Sequence, residues 1–444
     1  MVRRSQGGDS GRTGRRRDQH DEPPAGSPPS APAAPSHRSD GSSAELPHLT
    51  ALRFFLALGV VFSHIEELKF QAQLPNHHDV PFFLGLGNRC VLGFFTLSGF
   101  LITWLLLGEL HSSGTIAVGR FYARRSLRIL PMYYLTVVMG VFVLPGLLSF
   151  PSADGQWETD YWAKLAMFLF LVPNLLAVLY GNLLYVGPLW SIGLEEQFYL
   201  FWPWLMRVGW KRPLALFGLT LGFWLVIRLA SFHFPPGGDL RTSSTFVELL
   251  VGLGVSQDAA FVAQAVTRAL RFEALIIGGL FAYALFYRWR VLTILFHPLT
   301  QVGAIAALAL GVGYAHHFGT LHFAAYAGLF GVVIVNMAGN PKQYVRIDAA
   351  WTRYLGKLSY SLYLVHAAVI VGLLNLLPHV GIPHTSSIFS GALLVGTVGL
   401  SIIAAHCAYR WVERPFLVLK QRFSGAAAEN GRPGSTPRPL RQPS

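Results

Sequence analysis

Residues Leu49 to Ile65 read LTALRFFLALGVVFSHI, an apolar run broken by two ionisable side chains, Arg53 and His64. They lie 11 residues apart, about three turns of helix, so both point to nearly the same side. The rise between them is ~16 Å, about half of a ~30 Å hydrocarbon core. One helix face thus carries a cation near its start and an imidazole deep inside. Charge at membrane depth is costly, so such residues face a protein interior or a wet cavity. The plain alternatives are an arginine that snorkels from a helix end and a histidine hydrogen-bonded to a neighbouring helix. The pair on one face, taken with the motifs downstream, points to function.

The rest of the composition agrees with a membrane setting. Of 444 residues, 52% are hydrophobic and only 13% are charged, where a soluble domain carries roughly 25% charged residues. Mean hydropathy is +0.43. The expected fold class is all-α: a polytopic membrane protein with the lipid bilayer as a partner. The net charge of +13 would raise nucleic acid as a partner of a soluble chain. Here the basic residues sit in tails and short loops between apolar spans, as the positive-inside bias requires, and no nucleic-acid partner is expected. The two cysteines, Cys90 and Cys407, read as small core residues. Neither a disulfide framework nor a metal site is expected.

Residues 1–47 are rich in Pro, Ser, Gly, Ala and Arg and poor in large apolar residues, so a disordered tail is expected there. A second such tail is expected over 419–444, leaving one membrane domain at 48–418. No cleavable signal peptide is visible ahead of the first apolar run, which reads as its own signal anchor.

Apolar stretches near spanning length run at about 49–66, 82–107, 129–150, 162–181, 188–207, 213–233, 268–288, 292–314, 319–338, 358–377 and 387–411. Arg-rich connections (Arg120–Arg128, Arg207–Arg212, Arg288–Arg290, Lys342–Lys357) alternate with acidic or neutral ones. The alternation is clean only if 162–181, with its Pro173-Asn174 break, does not cross. The reading is therefore about ten transmembrane helices plus one re-entrant or interfacial helix. It makes the protein multi-pass in the inner (plasma) membrane with both termini cytoplasmic; eleven crossings remain the alternative. Phe234–Thr267 is the longest external loop, part of it helical over Thr245–Val255.

Several motifs follow in chain order. GFFTLSGFLIT, Gly93 to Thr103, sets the small residues Ser98 and Gly99 in a bulky run, for close helix packing or for a gap beside a substrate. RFYARRSLRILPMYY, Arg120 to Tyr134, sets Arg125 and Arg128 three apart on one helix face just before a span. Such a cluster suits a phosphate-rich donor entering from the cytoplasm, or topology control and headgroup contact. PLWSIGLEEQFYLFWPWL, Pro188 to Leu205, places Glu195 and Glu196 in an apolar span. Adjacent carboxylates cannot both face one cavity. One beside an imidazole would orient it or raise its basicity, whereas a glutamate at the interface would only cap a helix start. KLSYSLYLVH, Lys357 to His366, opens a span with hydroxyls and a buried histidine, and WVERPF, Trp411 to Phe416, closes the last span.

Taken together, these stretches resemble the acyltransferase-3 family of integral membrane acyltransferases, the group that includes the OafA-like O-acetyltransferases. The match runs from about Leu49 to Phe416, with the Arg53/His64 spacing, FFTLSGFLI, RRSLRILP, WSIGLEEQFYLFWP, LGKLSYSLYLVH and VERPF in the family's order. The resemblance implies transfer of an acyl group, usually acetyl from acetyl-CoA, onto a hydroxyl of a sugar or other acceptor. It implies that Arg53 and His64 are essential, that Arg125 and Arg128 serve the acyl-CoA side, and that Glu195, Ser359 and Tyr360 line the site. Ser98 is placed with the donor-side residues and Tyr199 with the acceptor-side ones. Many members carry an acidic residue three positions before the first-helix arginine, where this chain has Thr50, so Arg53 needs another partner. Some members append an external esterase-like domain; none is expected here after Phe416, and the chemistry is expected within the membrane domain or by hand-over to a separate protein.

The expected mechanism docks acyl-CoA at the cytoplasmic mouth, phosphates against Arg125 and Arg128, with Arg53 as a further candidate contact. His64 then acts as general base on the acceptor hydroxyl or accepts the acyl group transiently, with Glu195 orienting it. An envelope carbohydrate or glycolipid is the first-choice acceptor and a secondary metabolite such as a glycosylated macrolide the second. A transporter is the rival from another class.

Overall fold

The computed structural model describes residues 46–150, 156–181, 183–232, 244–314, 318 and 321–420. The expected tails at 1–47 and 419–444 lie almost wholly outside them, as does 233–243 of the longest loop. Among the described residues the protein is helical and has no strand. In hydrocarbon every backbone N–H and C=O must be satisfied within the segment, which helices alone achieve without closing a barrel.

The helices in chain order are α1 Pro47–Gln71, α2 Pro81–Ser113 and α3 Val118–Leu147, followed by two short ones, α4 Tyr161–Leu169 and α5 Pro173–Leu179. Then come α6 Leu189–Gly209, α7 Pro213–Phe232, α8 Thr245–Gly252, α9 Gln257–Ala269 and α10 Phe272–Phe286. The chain closes with α11 Val291–Leu295, α12 Pro298–Gly313, α13 His322–Gly339, α14 Ala350–His379 and α15 Phe389–Lys420. Proline at the first positions opens α1, α2, α5 and α12, where its missing N–H is no loss and its fixed φ suits a helix start. Gly114, in the left-handed region at φ 74°, ends α2.

Among the described residues eight helical runs are long and apolar enough to cross a membrane, α9 and α10 counting as one run of 30 residues. The protein is thus an all-α, multi-pass membrane protein. Two segments expected to cross fall outside that set: α6, whose 21 residues include Glu195 and Glu196, and α12, with 16 residues. The stretch 162–181 divides at Phe170–Val172, with Leu171 at φ 60°. Its halves of 9 and 7 residues are far too short to span at 1.5 Å per residue.

The largest differences in element bounds from the sequence reading are helices that start earlier than the apolar runs. α3 begins at Val118, so Arg125 and Arg128 do share a helix, and that helix is the span itself, extended 11 residues ahead of the apolar run at 129. α14 begins at Ala350, which makes Lys357 helical too. All of 257–267, expected within a loop, is in α9. Long basic side chains are good helix formers at a membrane boundary, and hydropathy alone ends a span where they begin.

Packing follows the rule for helices in lipid, where apolar tails offer no drive for association and small residues let backbones meet. A Cβ on Gly99 of α2 would stand 1.9 Å from the carbonyl oxygen of Leu275 in α10, and one on Gly278 would stand 2.0 Å from that of Thr96. The two backbones are therefore in mutual contact. Gly356 of α14 meets the Thr50 carbonyl of α1 in the same way, at 2.0 Å. α14 also touches α1 further along, where His366 meets His64, so the two helices run side by side in the same direction.

Candidate active site

Helices α1, α2, α3, α6, α14 and the end of α15 enclose a cavity of about 420 Å³, within the size range of small-ligand sites. Eight of the nine site residues expected from sequence line it: Arg53, Ser98, Arg125, Arg128, Glu195, Tyr199, Ser359 and Tyr360. His64 does not.

Glu195 is the best-defined polar group in the wall. It accepts hydrogen bonds from Ser98 Oγ at 2.9 Å and from Tyr199 Oη at 2.9 Å. Tyr199 lies four residues along α6 and so one turn away. The guanidinium of Arg125 rests over the Tyr199 ring at 5.2 Å and over Phe121 at 5.9 Å. Glu196, the adjacent carboxyl, does not line the cavity, as a helix requires of neighbouring residues. Ser359 Oγ donates to Gly356 O of its own helix at 2.8 Å, and Tyr360 Oη donates to Ile129 O of α3 at 2.8 Å.

Five cationic side chains line the cavity, Arg53, Arg125, Arg128, Lys357 and Lys420, against two carboxyls, Glu195 and Glu413. Among the described residues Arg53, Arg125, Arg128 and Lys420 make no ion pair within 4 Å. The partner expected for Arg53 in place of a nearby acid is thus not an ion pair. Thr50, at the position of that acid, bonds weakly to Leu46 O at 3.5 Å. A lined space with surplus fixed positive charge, inside an apolar bundle, suits a polyanionic ligand.

Glu413 belongs to WVERPF, where α15 contains a π-helical turn over Tyr409–Glu413. The extra residue turns Glu413 inward, 5% exposed, while Arg410, Trp411 and Arg414 stay outside. Its carboxyl accepts a hydrogen bond from Ser361 Oγ.

His64 stands one layer beyond the cavity. Tyr363 lines the cavity wall, with its hydroxyl 2.9 Å from Ser191 Oγ and its ring 6.0 Å from that of Phe94. The His366 ring lies 5.8 Å behind Tyr363, and the His64 ring meets it edge to edge, the two nearly coplanar with centroids 4.9 Å apart. His64 Nδ1 is 2.6 Å from His366 Nε2, and its Nε2 is 3.7 Å from Glu67 Oε2. The sequence reading expected Glu195 to orient His64. Glu195 is instead held by Ser98 and Tyr199, and the partner of His64 is His366. Sequence reasoning noted His366, Tyr363 and Glu413 inside motifs without giving them a role. The signal was present for His366: it ends a run of buried hydroxyls on a helix that Gly356 fits against α1. Among the described residues no cluster of three or more His, Cys, Asp or Glu is arranged to hold a metal ion.

Known proteins are similar to this chain over much of its length. The family model described as an acyltransferase domain matches residues 46–406. The peptidoglycan O-acetyltransferase OatA of Listeria monocytogenes is 24% identical over 340 residues, covering 72% of this chain and 50% of the relative. The O-acetyltransferase OatA of Staphylococcus aureus is 25% identical over 412 residues, covering 86% of this chain and 58% of the relative. The acyltransferase MdmB of Streptomyces mycarofaciens is 31% identical over 172 residues, covering 38% of this chain and 41% of the relative. The chain therefore spans about half the length of the OatA relatives. No solved structure matches. The matched region takes in the cavity-lining residues of α1, α2, α3, α6 and α14 and the His64–His366 pair, stopping short of those at the end of α15; it covers most of the chain, and on that ground the chain belongs to the acyltransferase-3 family.

Proposed function

We propose that this protein is a membrane O-acyltransferase that moves an acyl group, acetyl in the first instance, from acyl-CoA to a hydroxyl of a cell-envelope carbohydrate or glycolipid. The observation that carries the reading is the charge of the cavity: five cationic side chains against two carboxyls, with four of the cations making no ion pair within 4 Å among the described residues. Coenzyme A brings a pyrophosphate and a 3′-phosphate, which need multiple N–H donors, and guanidinium groups bind phosphate oxygens two at a time. Arg125, Arg128 and Lys420 would take the phosphates at the mouth. The basic loops support a cytoplasmic mouth, with both termini on the same side. The names of the OatA relatives, which specify O-acetyl transfer and in one case peptidoglycan, support acetyl as the group and an envelope carbohydrate as the acceptor.

His64 would serve as general base. As the acceptor oxygen attacks the thioester carbonyl, its proton goes to the imidazole. The C–S bond breaks, and CoA leaves as a thiolate that recovers the proton. His64 stands behind Tyr363, so the thioester must pass the Tyr363–Ser191–Phe94 wall to meet it, and the acceptor would approach from the far side.

The test uses purified protein in nanodiscs with labelled acetyl-CoA and a panel of longer acyl-CoAs. Wild type should bind acetyl-CoA and release CoA, even slowly by hydrolysis without acceptor. His64→Ala should bind with unchanged affinity and lose turnover by ~10²-fold or more. Absence of binding across the whole panel would sink the reading and favour a transporter.

A further inference from the structure

The hydrogen-bond chain behind the cavity fixes where hydrogens sit on His64. His366 Nδ1 lies 2.7 Å from the main-chain carbonyl oxygen of Tyr363. A carbonyl can only accept, so His366 Nδ1 carries a hydrogen. A neutral imidazole has one N–H, which leaves His366 Nε2 as a bare lone pair. That lone pair is 2.6 Å from His64 Nδ1, so His64 must donate from Nδ1. Its single neutral hydrogen is then used, and His64 Nε2 is bare. The other assignment, with His366 doubly protonated and donating from both nitrogens, would bury an imidazolium at 0% exposure. Among the described residues no carboxylate within 4 Å pairs with it, and an unpaired buried charge is strongly disfavoured.

We propose that His366 is a positioning residue that holds neutral His64 in the Nδ1–H tautomer, so that Nε2 is the atom that takes the acceptor's proton. This rests on the general-base reading of His64. The proton step needs no rearrangement: the acceptor O–H proton transfers to Nε2 as the C–O bond to the acyl carbon forms, while Nδ1–H keeps donating to His366. The imidazolium so formed faces the carboxylate of Glu67, 3.7 Å from Nε2. The Tyr363 carbonyl anchors the chain from the same residue whose side chain closes the cavity. Donor side and base are therefore tied through one helical turn of α14. Histidines that work in pairs with a carbonyl are a common way of fixing a tautomer.

Two measurements on the full chain in nanodiscs test this. The first is ¹⁵N-histidine spectroscopy of the wild type, with the His64 signals among its 16 histidines assigned by their loss in His64→Gln. The proposal requires a protonated Nδ1 and a bare Nε2 on His64; the reverse assignment overturns it without any activity assay. The second is kinetic. His366→Leu should lower kcat about 100-fold, the low end for loss of a positioned base, with KM for acyl-CoA within about twofold. In its spectrum His64 should move towards the Nε2–H form. His366→Gln, whose amide oxygen can accept from His64 Nδ1, should recover activity to within about tenfold of wild type, a rescue that a packing role would not produce. Wild-type kcat in His366→Leu overturns the proposal. If that variant fails to fold, the wild-type spectrum and the Gln variant decide. A wild type that consumes no acyl-CoA would remove the functional reading, while the tautomer result would still stand or fall by itself.

Discussion

Ser98 and Gly99, neighbours on α2, serve opposite surfaces: Ser98 Oγ donates to Glu195 at 2.9 Å across the cavity wall, while Gly99 presses on the Leu275 carbonyl of α10. A helix turns 100° per residue, so one step in sequence separates a site residue from a packing residue. Gly99→Ala should therefore act on the fold. Its methyl has no room at 1.9 Å from backbone, and prising α2 from α10 should lower stability by ~3 kcal/mol or prevent insertion. Ser98→Ala should leave the melting temperature within a few degrees and lower turnover, because Glu195 keeps Tyr199 and loses one bond of ~1 kcal/mol. Thermal unfolding in detergent, run beside CoA release, separates the two. A Gly99→Ala protein as stable as wild type would contradict the backbone contact.

Gly356 makes the corresponding link between α14 and α1. Gly356→Ala would push α14 off the Thr50 carbonyl and with it shift Ser359 and Tyr360 and stretch the hydrogen bond between His366 and His64. The expected outcome is loss of turnover by ~10-fold or more at an affinity for acyl-CoA reduced only a few-fold, since reacting geometry is more sensitive than binding to sub-ångström displacement. Equal losses in kcat and binding would mean that the cavity itself, not the His64–His366 pair, had collapsed.

Much of this arrangement is legible in the amino-acid sequence. Spacing puts Arg53 and His64 on one helix face, and the resemblance to the family implies that Arg125, Arg128, Glu195 and Ser359 belong to the same site. The cavity unites these residues because apolar helices in a bilayer must converge their few polar groups. Two things are not legible. Hydropathy cannot tell that the helix of Arg125 and Arg128 is the span itself or that Lys357 is helical, since basic residues end an apolar window whether or not the helix ends. Nor can it separate the two ends of the Arg53–His64 face. Arg53 opens on the cavity and His64 lies beyond Tyr363, because α14 packs along α1 between them, a tertiary relation that no single-helix pattern encodes. For the same reason Glu195 is matched to the wrong partner from sequence: charge and spacing are visible there, and the neighbour that satisfies a buried acid is chosen by packing.

The cationic mouth should behave as a phosphate site. Arg125→Ala or Arg128→Ala should raise KM for acyl-CoA about tenfold, as one charge-assisted contact of ~1.4 kcal/mol would, with kcat changed by less than about threefold. Arg125→Lys should recover only part of the loss, because an ammonium cannot engage two oxygens in a plane. Raising salt from ~0.05 to ~0.5 M should weaken wild-type affinity more than that of either variant. Titrating acetyl-CoA against dephosphorylated analogues reads the same point directly: the variants should discriminate less between them. A variant that loses kcat at unchanged KM would move that arginine from binding to chemistry.

Glu67 supplies the last test of how His64 works. Its Oε2 lies 3.7 Å from His64 Nε2, too far for a hydrogen bond to the neutral ring, and the two side chains are 37% and 26% exposed. A carboxylate at that distance does little for a neutral imidazole and attracts an imidazolium. If Nε2 collects the acceptor's proton, Glu67 stabilises the state that follows and not the one before. A part-exposed pair is worth ~0.3–1 kcal/mol, so Glu67→Gln should lower kcat about threefold. Binding of acyl-CoA should not change, because Glu67 does not line the cavity. The effect should shrink at high salt, where part-exposed charges are screened. Steady-state rates for wild type and Glu67→Gln at two ionic strengths decide it. A rate unaffected by the substitution at low salt would mean that no positive charge develops on the outer edge of His64 during the rate-limiting step, and the proton would then have to leave by another route.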